Sequence, residues 1–232
     1  MKISVVIPAH NEEQVIAHTL RALLAQDYKN YEIIVVDNAS TDRTSEVARQ
    51  FQVKVVHESK KGLLHARERG RKEASGDIIA NIDADCLPEA NWLRTGVTYF
   101  LNDPVGDIVA VSGPYDYHDA APMFRHSSFL TQKYLYRGVN NLFQLPIIRA
   151  GATLIGGNNF IRASAIEKAG GYDTSIIFYG EDTDTAKRVA RHGRVIFSPK
   201  VIMKTSARRF KAEGTLNLMF KYWYHFFRTI VK

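Results

Sequence analysis

The sequence has a single cysteine, Cys86, so no disulfide can form within the chain and a reducing compartment is expected. Nothing around Cys86 marks it as a nucleophile, and the expected role is a small buried side chain. Cysteine and histidine do not recur at zinc-site spacing. No G-x-G-x-x-G follows the first strand-like segment, which disfavours a dinucleotide oxidoreductase. No uncharged run reaches the length of a transmembrane helix, and the opening apolar run Ile3-Ser4-Val5-Val6-Ile7-Pro8 is too short for a signal peptide. Internal repeats, low-complexity tracts and linkers are missing. No nucleic-acid module signature is visible, so nucleic acid is not an expected partner.

What is present bounds the rest. A chain of 232 residues, 45% of them hydrophobic, can bury one sizeable core, so one domain with an appended helix is expected. The net charge of +7 favours anionic partners such as nucleoside diphosphates or an acidic membrane surface.

Apolar strand-like runs alternate with helical spacing through the first half. Strands are expected at Ile3–Ile7, Glu32–Val36, Val53–Val56, Asp77–Ile82 and Ile108–Ser112. Helices are expected at about Glu12–Ala25, from Ser40 or Thr41 to about Gln50, about Leu64–Ala74 and about Glu89–Leu101. Near-continuous apolar strands between helices read as a parallel sheet covered on both faces. Ligands then bind outside the carboxyl ends of the strands, where Pro8-Ala9-His10-Asn11, Asp37-Asn38-Ala39 and Asp83-Ala84-Asp85 gather. The second half is less regular. It offers an aromatic-rich helix at about Phe124–Tyr136, a glycine loop at Gly151–Asn159, short helices at about Ala163–Lys168 and Asp182–Arg191, and a last strand at Val195–Phe197.

Asp83 and Asp85 alternate out of one strand end, so their carboxylates can converge and call for a cation. Hard oxygen ligands suit Mg²⁺ or Mn²⁺, ions that usually also hold substrate phosphates. Asp37 can accept hydrogen bonds from a base N–H or a ribose hydroxyl, or it forms an Asx-turn. Arg67, after Gly62, is either a guanidinium for a diphosphate or a solvated helix charge. Glu181, Asp182 and Asp184 are either reaction carboxylates or first-turn helix acids.

Taken in order, Pro8-Ala9-His10-Asn11-Glu12, Val36-Asp37-Asn38-Ala39-Ser40-Thr41-Asp42, Gly62 with Ala66-Arg67, and Asp83-Ala84-Asp85 resemble the nucleotide-binding half of a family 2 glycosyltransferase. Gly156-Gly157-Asn158-Asn159-Phe160, Gly170-Gly171-Tyr172-Asp173 and Gly180-Glu181-Asp182-Thr183-Asp184 continue the likeness, which spans about Ile3 to Ser198. The resemblance implies a GT-A fold, a doubly wound, mostly parallel α/β sheet flanked by helices. It implies residues 1–113 as a nucleotide-binding half and 114–213 as an acceptor half of one catalytic domain.

It also implies roles. Pro8, Ala9, Asn11, Glu12, Asp37 and Asn38 hold the nucleoside, and Arg67 lies near the base or diphosphate. Asp83 and its neighbour Ala84 lie near the ribose or metal, and Asp85 binds the metal. Gly156, Gly157 and Asn158 lie near the sugar. Asp182 is the catalytic base, with Glu181 as its neighbour. The histidine that many relatives carry after Pro199 is missing, and Arg208 and Arg209 stand nearby as candidate diphosphate clamps or exposed cations. The chemistry agrees. Displacing a nucleoside diphosphate leaves negative charge for a cation to offset, and the acceptor hydroxyl needs a base. A base on the face opposite the leaving group gives inversion.

Residues 214–232 read as an amphipathic helix. Leu216, Met219, Phe220, Trp223, Phe227 and Ile230 recur beside a basic stripe of Lys221, His225, Arg228 and Lys232. It suits peripheral contact with an anionic membrane, or packing on the domain or a partner subunit. The expectation is a cytoplasmic, metal-dependent, inverting glycosyltransferase in cell-envelope polysaccharide or glycolipid synthesis. Its donor is a nucleotide-diphosphate sugar and its acceptor is saccharide or lipid-linked. A non-catalytic sugar-nucleotide-binding module and a sugar nucleotidyltransferase are the alternatives; the latter lacks its glycine-rich triphosphate loop.

Overall fold

A computed structural model describes residues 1–143, 153–176 and 179–231. Gly151 and Ala152 at the head of the expected glycine loop, the side chains of Trp223, Phe227 and Ile230, and Lys232 lie outside the described residues.

The first half alternates β1 (Ile3–Ala9), α1 (Ile16–Leu24), β2 (Tyr31–Asn38), α2 (Thr44–Arg49), β3 (Lys54–Glu58), α3 (Leu63–Glu73) and β4 (Ile78–Ile82). A short β5 (Leu87–Pro88), α4 (Trp92–Leu101), β6 (Ile108–Ser112) and β7 (Tyr115–Tyr117) follow. Then come α5 (Pro122–Thr131), a π-helical turn at Gln132–Tyr136, and α6 (Arg137–Phe143). The rest comprises β8 (Asn158–Arg162), α7 (Ala163–Lys168), α8 (Glu181–Val189), β9 (Arg194–Phe197), β10 (Met203–Thr205), α9 (Arg208–Glu213) and α10 (Thr215–Val231). Among the described residues the main sheet has order β3-β2-β1-β4-β8-β6-β9, and β5-β10-β7 form a small second sheet.

Each strand alternates its side chains between two cores. Ile3, Val5, Ile7, Ile33, Val35, Ile78, Ala80 and Ile82 face α1 and α4, packing on Leu20, Leu23, Trp92 and Val97. Val6, Ile34, Val36 and Ile79 face α3, α7 and α8, packing on Leu64, Ile166 and Val189. Both faces are dry, which explains the near-continuous apolar runs in β1 and β2. Each fully buried aliphatic side chain contributes about 1.5–3 kcal/mol.

Two boundaries move for one reason. The loops 10–15 and 39–44 bind each other: Glu12 N–H donates to Thr44 Oγ1 at 2.7 Å, and Glu13 N–H to Asp42 Oδ2 at 3.1 Å. Thr41 N–H donates to Asn11 Oδ1 at 2.8 Å. Asn11 at φ 55 and Ala39 at φ 53 are outside the right-handed helical region, and the loops that follow them hold each other, so α1 starts at Ile16 and α2 at Thr44, later than periodicity predicts. The glycine segment also differs from expectation: its end is the central strand β8, antiparallel to both β4 and β6. Its asparagines hide the strand from a hydrophobicity reading. Asn159 Oδ1 accepts from Asn81 Nδ2 at 2.7 Å, and Asn158 Nδ2 donates to the Val201 carbonyl at 2.8 Å, inside the protein. The two expected halves thus share one sheet, with β8 inserted between strands of the first half.

Candidate functional site

Strand order reverses between β1 and β4, and the loops at their carboxyl ends open there. Because β8 runs antiparallel, its beginning meets the end of β4. Ile82 pairs with Asn158, so the next pair places Gly157 opposite Asp83. A Cβ on Gly157 would overlap Asp83 Oδ2 and Tyr115 Oη, and one on Gly156 would overlap Asp182 Oδ1 and the Arg67 guanidinium. Only glycine lets these groups close on one another here.

Four acidic side chains meet two arginines. Arg67, 4% exposed, sets Nη1 3.2 Å from Asp182 Oδ1 and Nη2 3.5 Å from Asp83 Oδ1. Asp182 Oδ2 accepts from Gly156 N–H at 2.9 Å. Tyr115 Oη donates to Asp83 Oδ2 at 2.9 Å. Arg208, at the start of α9, places Nε 3.1 Å from Asp85 Oδ2 and Nη1 2.8 Å from Glu12 Oε2. Thr205 Oγ1 lies 3.5 Å from Asp85 Oδ1.

Burial and crowding leave these acids short of positive charge. Burial, then Asp83, push Asp85 up to about 6 despite Arg208. Burial and the neighbouring Asp182 push Glu181 up to about 7. Burial also raises Asp182, opposed by Arg67 and by the Gly156 N–H. The helix N-terminus alone predicts a readily ionised Asp182; burial works against that. Burial pushes the Cys86 thiol well above its ordinary value, so it is no thiolate.

The nucleoside end is built from β1 and β2. Pro8 and Ala9 pair with Val36 and Asp37 across the ladder. Asp37 accepts from Ser40 N–H at 3.2 Å and faces His57 Nδ1 at 3.5 Å. Asn38 is committed to the fold, donating to the Glu58 and Lys60 carbonyls and accepting from Gly62 N–H. Among the described residues, the non-glycine positions at positive φ are Asn11, Ala39 and Tyr179. Two close the β1 and β2 loops and the third precedes the Gly180-Glu181-Asp182 turn, so strain concentrates around the site.

Some expected site residues sit elsewhere. Arg67, expected near the base or the diphosphate, is buried between Asp83 and Asp182. Asn158 is fully buried, its Oδ1 accepting from Trp92 Nε1 at 2.9 Å. Ala84 packs in the core, with its carbonyl accepting from Thr19 Oγ1. Arg209 turns to Glu213 at 3.0 Å and lies over the Tyr179 ring. Tyr115 and Thr205 escaped the sequence reading, because their elements are three-residue strands without periodicity.

The donor set suits a hard divalent ion on Asp83 and Asp85, since at Asp85 the repulsion from Asp83 outweighs the attraction of Arg208. Among the described residues no group of three or more His, Cys, Asp and Glu is placed to hold an ion. An ion held there would need further ligands from phosphate and water.

The family model for Glycosyl transferase family 2 matches residues 4–170. Glycosyltransferase AglE of Haloferax volcanii is 30% identical over 217 residues, covering 90% of this chain and 68% of that protein. The probable glycosyltransferase YdaM of Bacillus subtilis is 34% identical over 215 residues, 87% of this chain but 50% of that protein. A mannosyltransferase from Pyrobaculum calidifontis, solved with GDP-Man and Mn²⁺, superposes with a TM-score of 0.72 at 24% identity, over 98% of this chain and 64% of that one. The chain therefore spans between half and about two thirds of these relatives' lengths, and the solved neighbour establishes the fold alone. Motif order, sheet topology and family match agree: the chain belongs to glycosyl transferase family 2, with a GT-A fold.

Proposed function

We propose that this chain is a metal-dependent, inverting glycosyltransferase in which Asp182 is the general base. The observation that carries the reading is the shared guanidinium of Arg67, 3.2 Å from Asp182 and 3.5 Å from Asp83. It brings a carboxylate suited to proton abstraction beside one suited to the donor. The raised affinity of Asp182 for a proton brings it nearer the range where a general base works best.

Asp37 accepts from the base or ribose, and the loops carrying Pro8, Ala9, Asn11 and Glu12 border the nucleoside. Gly156 and Gly157 leave room for the sugar. Asp83 and Asp85 hold Mn²⁺ or Mg²⁺, which when bound offsets the charge developing on the departing diphosphate. Arg208 exchanges its carboxylate partners for diphosphate oxygens, a bidentate match for a guanidinium. Asp182 takes the acceptor O–H proton as that oxygen bonds to the anomeric carbon and the bond to the diphosphate breaks. The GDP-Man and Mn²⁺ held by the P. calidifontis enzyme support a nucleotide sugar and a divalent ion.

The protein works in the cytoplasm at an anionic membrane face, on a saccharide or lipid-linked acceptor. Support comes from α10, where Leu216 is 85% and Phe220 72% exposed on a helix that also carries Arg228, while Lys221 is paired with Glu213 at 2.8 Å. No helix among the described residues is long and apolar enough to cross a membrane.

Two substitutions test the reading. Asp182→Asn keeps the shape but removes the base, so Mn²⁺-dependent donor turnover should fall about 10²–10⁴-fold while GDP or UDP affinity holds. Asp85→Ala should abolish the extra thermal stabilisation that Mn²⁺ gives with GDP or UDP. Near-normal turnover by Asp182→Asn passes the role to Glu181 or Asp184, and a full metal increment in Asp85→Ala moves the ion elsewhere.

A further inference from the structure

We propose that Arg67 is a positioning residue for the base, and that it acts on turnover through Asp182 rather than by holding the donor. The proposal rests on the reading of Asp182 as the base. Both Asp182 oxygens are already fixed, Oδ1 by Arg67 Nη1 at 3.2 Å and Oδ2 by Gly156 N–H at 2.9 Å. Two donors on two oxygens define the plane of the carboxylate. One donor would leave it free to rotate about its Cβ–Cγ bond. A base held in one orientation meets the acceptor hydroxyl without first losing that freedom, which is where positioning lowers a barrier.

The guanidinium is itself placed rigidly. Arg67 lies on α3, whose Gly70 approaches β1 and β2 so closely that a Cβ there would overlap Val6 and press on Val36. The helix therefore cannot shift against the sheet that carries Asp83. Gly156 has no room for a Cβ against Asp182 or Arg67. Arg67 is thus clamped between the helix that bears it and the start of β8, with its charge shared by two carboxylates far apart in sequence. Its Nε is buried without a protein partner. An unmade hydrogen bond of that kind costs stability, which sits poorly with a side chain kept for stability alone.

The arrangement also separates two roles that one arginine is often given. A guanidinium that bound the diphosphate would need an open face toward the donor. Arg67 is 4% exposed, whereas Arg208 is about half exposed at its side chain and is the cation with freedom to reach phosphate.

The test is a double-mutant cycle in the full chain. Donor hydrolysis is measured with Mn²⁺ and whichever of GDP-mannose or UDP-N-acetylglucosamine raises the melting temperature more. Affinity for the matching nucleoside diphosphate with Mn²⁺ is measured by calorimetry. Arg67→Gln should lower kcat about 10- to 100-fold, leaving donor KM and nucleoside diphosphate affinity within about threefold. Arg67→Lys, which keeps the charge but reaches one carboxylate, should recover part of that loss and serves if the glutamine variant does not fold. In the Asp182→Asn background, Arg67→Gln should cost less than about twofold, since a group acting through Asp182 has nothing left to position. Independent, multiplying losses in the double variant overturn the inference while leaving Asp182 as the base. So does a loss that falls on nucleoside diphosphate affinity, or an unchanged kcat. Near-normal turnover by Asp182→Asn alone overturns the base assignment, and with it this role for Arg67.

Discussion

Arg208 sets its Nε 3.1 Å from Asp85 Oδ2 and turns its terminal nitrogens onto Glu12. A cation borne by α9 thus pairs with a carboxylate suited to a metal and offsets part of its charge. The turn between β10 and α9 is anchored to Asp119, which accepts from Ala207 N–H at 2.6 Å and from Ser206 Oγ at 2.9 Å. Arg208 and a divalent ion compete for the same oxygen. Arg208→Gln should therefore tighten binding of Mn²⁺ alone by about tenfold, about 1.4 kcal/mol. The same variant should weaken GDP or UDP binding in saturating Mn²⁺, because the diphosphate loses its guanidinium. Titrating Mn²⁺ by electron paramagnetic resonance checks the first effect and calorimetry the second. An unchanged or weakened Mn²⁺ affinity would show that the two cations do not compete.

Glu181 should make stability fall as pH rises. Burial, then Asp182, lift its carboxyl from 4.5 to about 7 in the fold. The folded state then keeps a proton that the unfolded state releases, so stability declines from about pH 4.5 to about pH 7 and stays lower above it. Glu181→Gln removes that cost and should raise the melting temperature more at pH 8 than at pH 4.5. An equal change at both pH values would assign the effect to packing instead.

Gly157→Ala should act on the site before it acts on the fold. The new methyl would overlap Asp83 Oδ2 and Tyr115 Oη, and the backbone beneath it leads into the central strand β8, which cannot yield. Asp83 must turn, so Mn²⁺-dependent stabilisation by GDP or UDP should disappear, with a loss of about 1–3 kcal/mol from overpacking. Gly138→Ala on α6 is the control, since nothing lies within 4 Å of its Cβ position. It should be neutral or stabilise by up to about 1 kcal/mol. Calorimetric melts of both variants, with and without Mn²⁺, separate the outcomes.

The outer face of α10 should bind anionic vesicles. Removing the whole helix is a poor test, because it packs on α8: Lys187 Nζ reaches the Thr229 carbonyl at 3.5 Å, and Tyr179 stacks on His225. Leu216→Ser with Phe220→Ser alters only exposed side chains. That pair should lower co-sedimentation with phosphatidylserine vesicles several-fold and leave the melting temperature within about 1 °C, as surface changes usually do. Undiminished co-sedimentation, or none by the parent protein, would leave this face to solvent or a protein partner.

Periodicity carries much of the first half of this molecule. Runs such as Ile33-Ile34-Val35-Val36 can be buried only on both faces, and the helices between them force a parallel sheet. Acidic residues directly after strands then had to collect on one edge. Local pattern does not carry β8, because its asparagines look polar until Asn81, Trp92 and the Val201 carbonyl satisfy them. Nor does it carry the two-residue and three-residue strands, which exist only as partners of one another.

The sequence by itself determined the order of the elements from β1 to β4, the placing of Asp37, Asp83 and Asp85 at strand ends, and the family likeness, since each depends on short-range spacing. Tertiary structure alone decided that Arg67 turns inward to Asp182, that Arg208 occupies Asp85, and that Gly157 faces Asp83. Those are contacts between residues dozens to more than a hundred positions apart. They depend on β8 running antiparallel to β4 and on α9 folding back over the strand ends, which no local periodicity encodes.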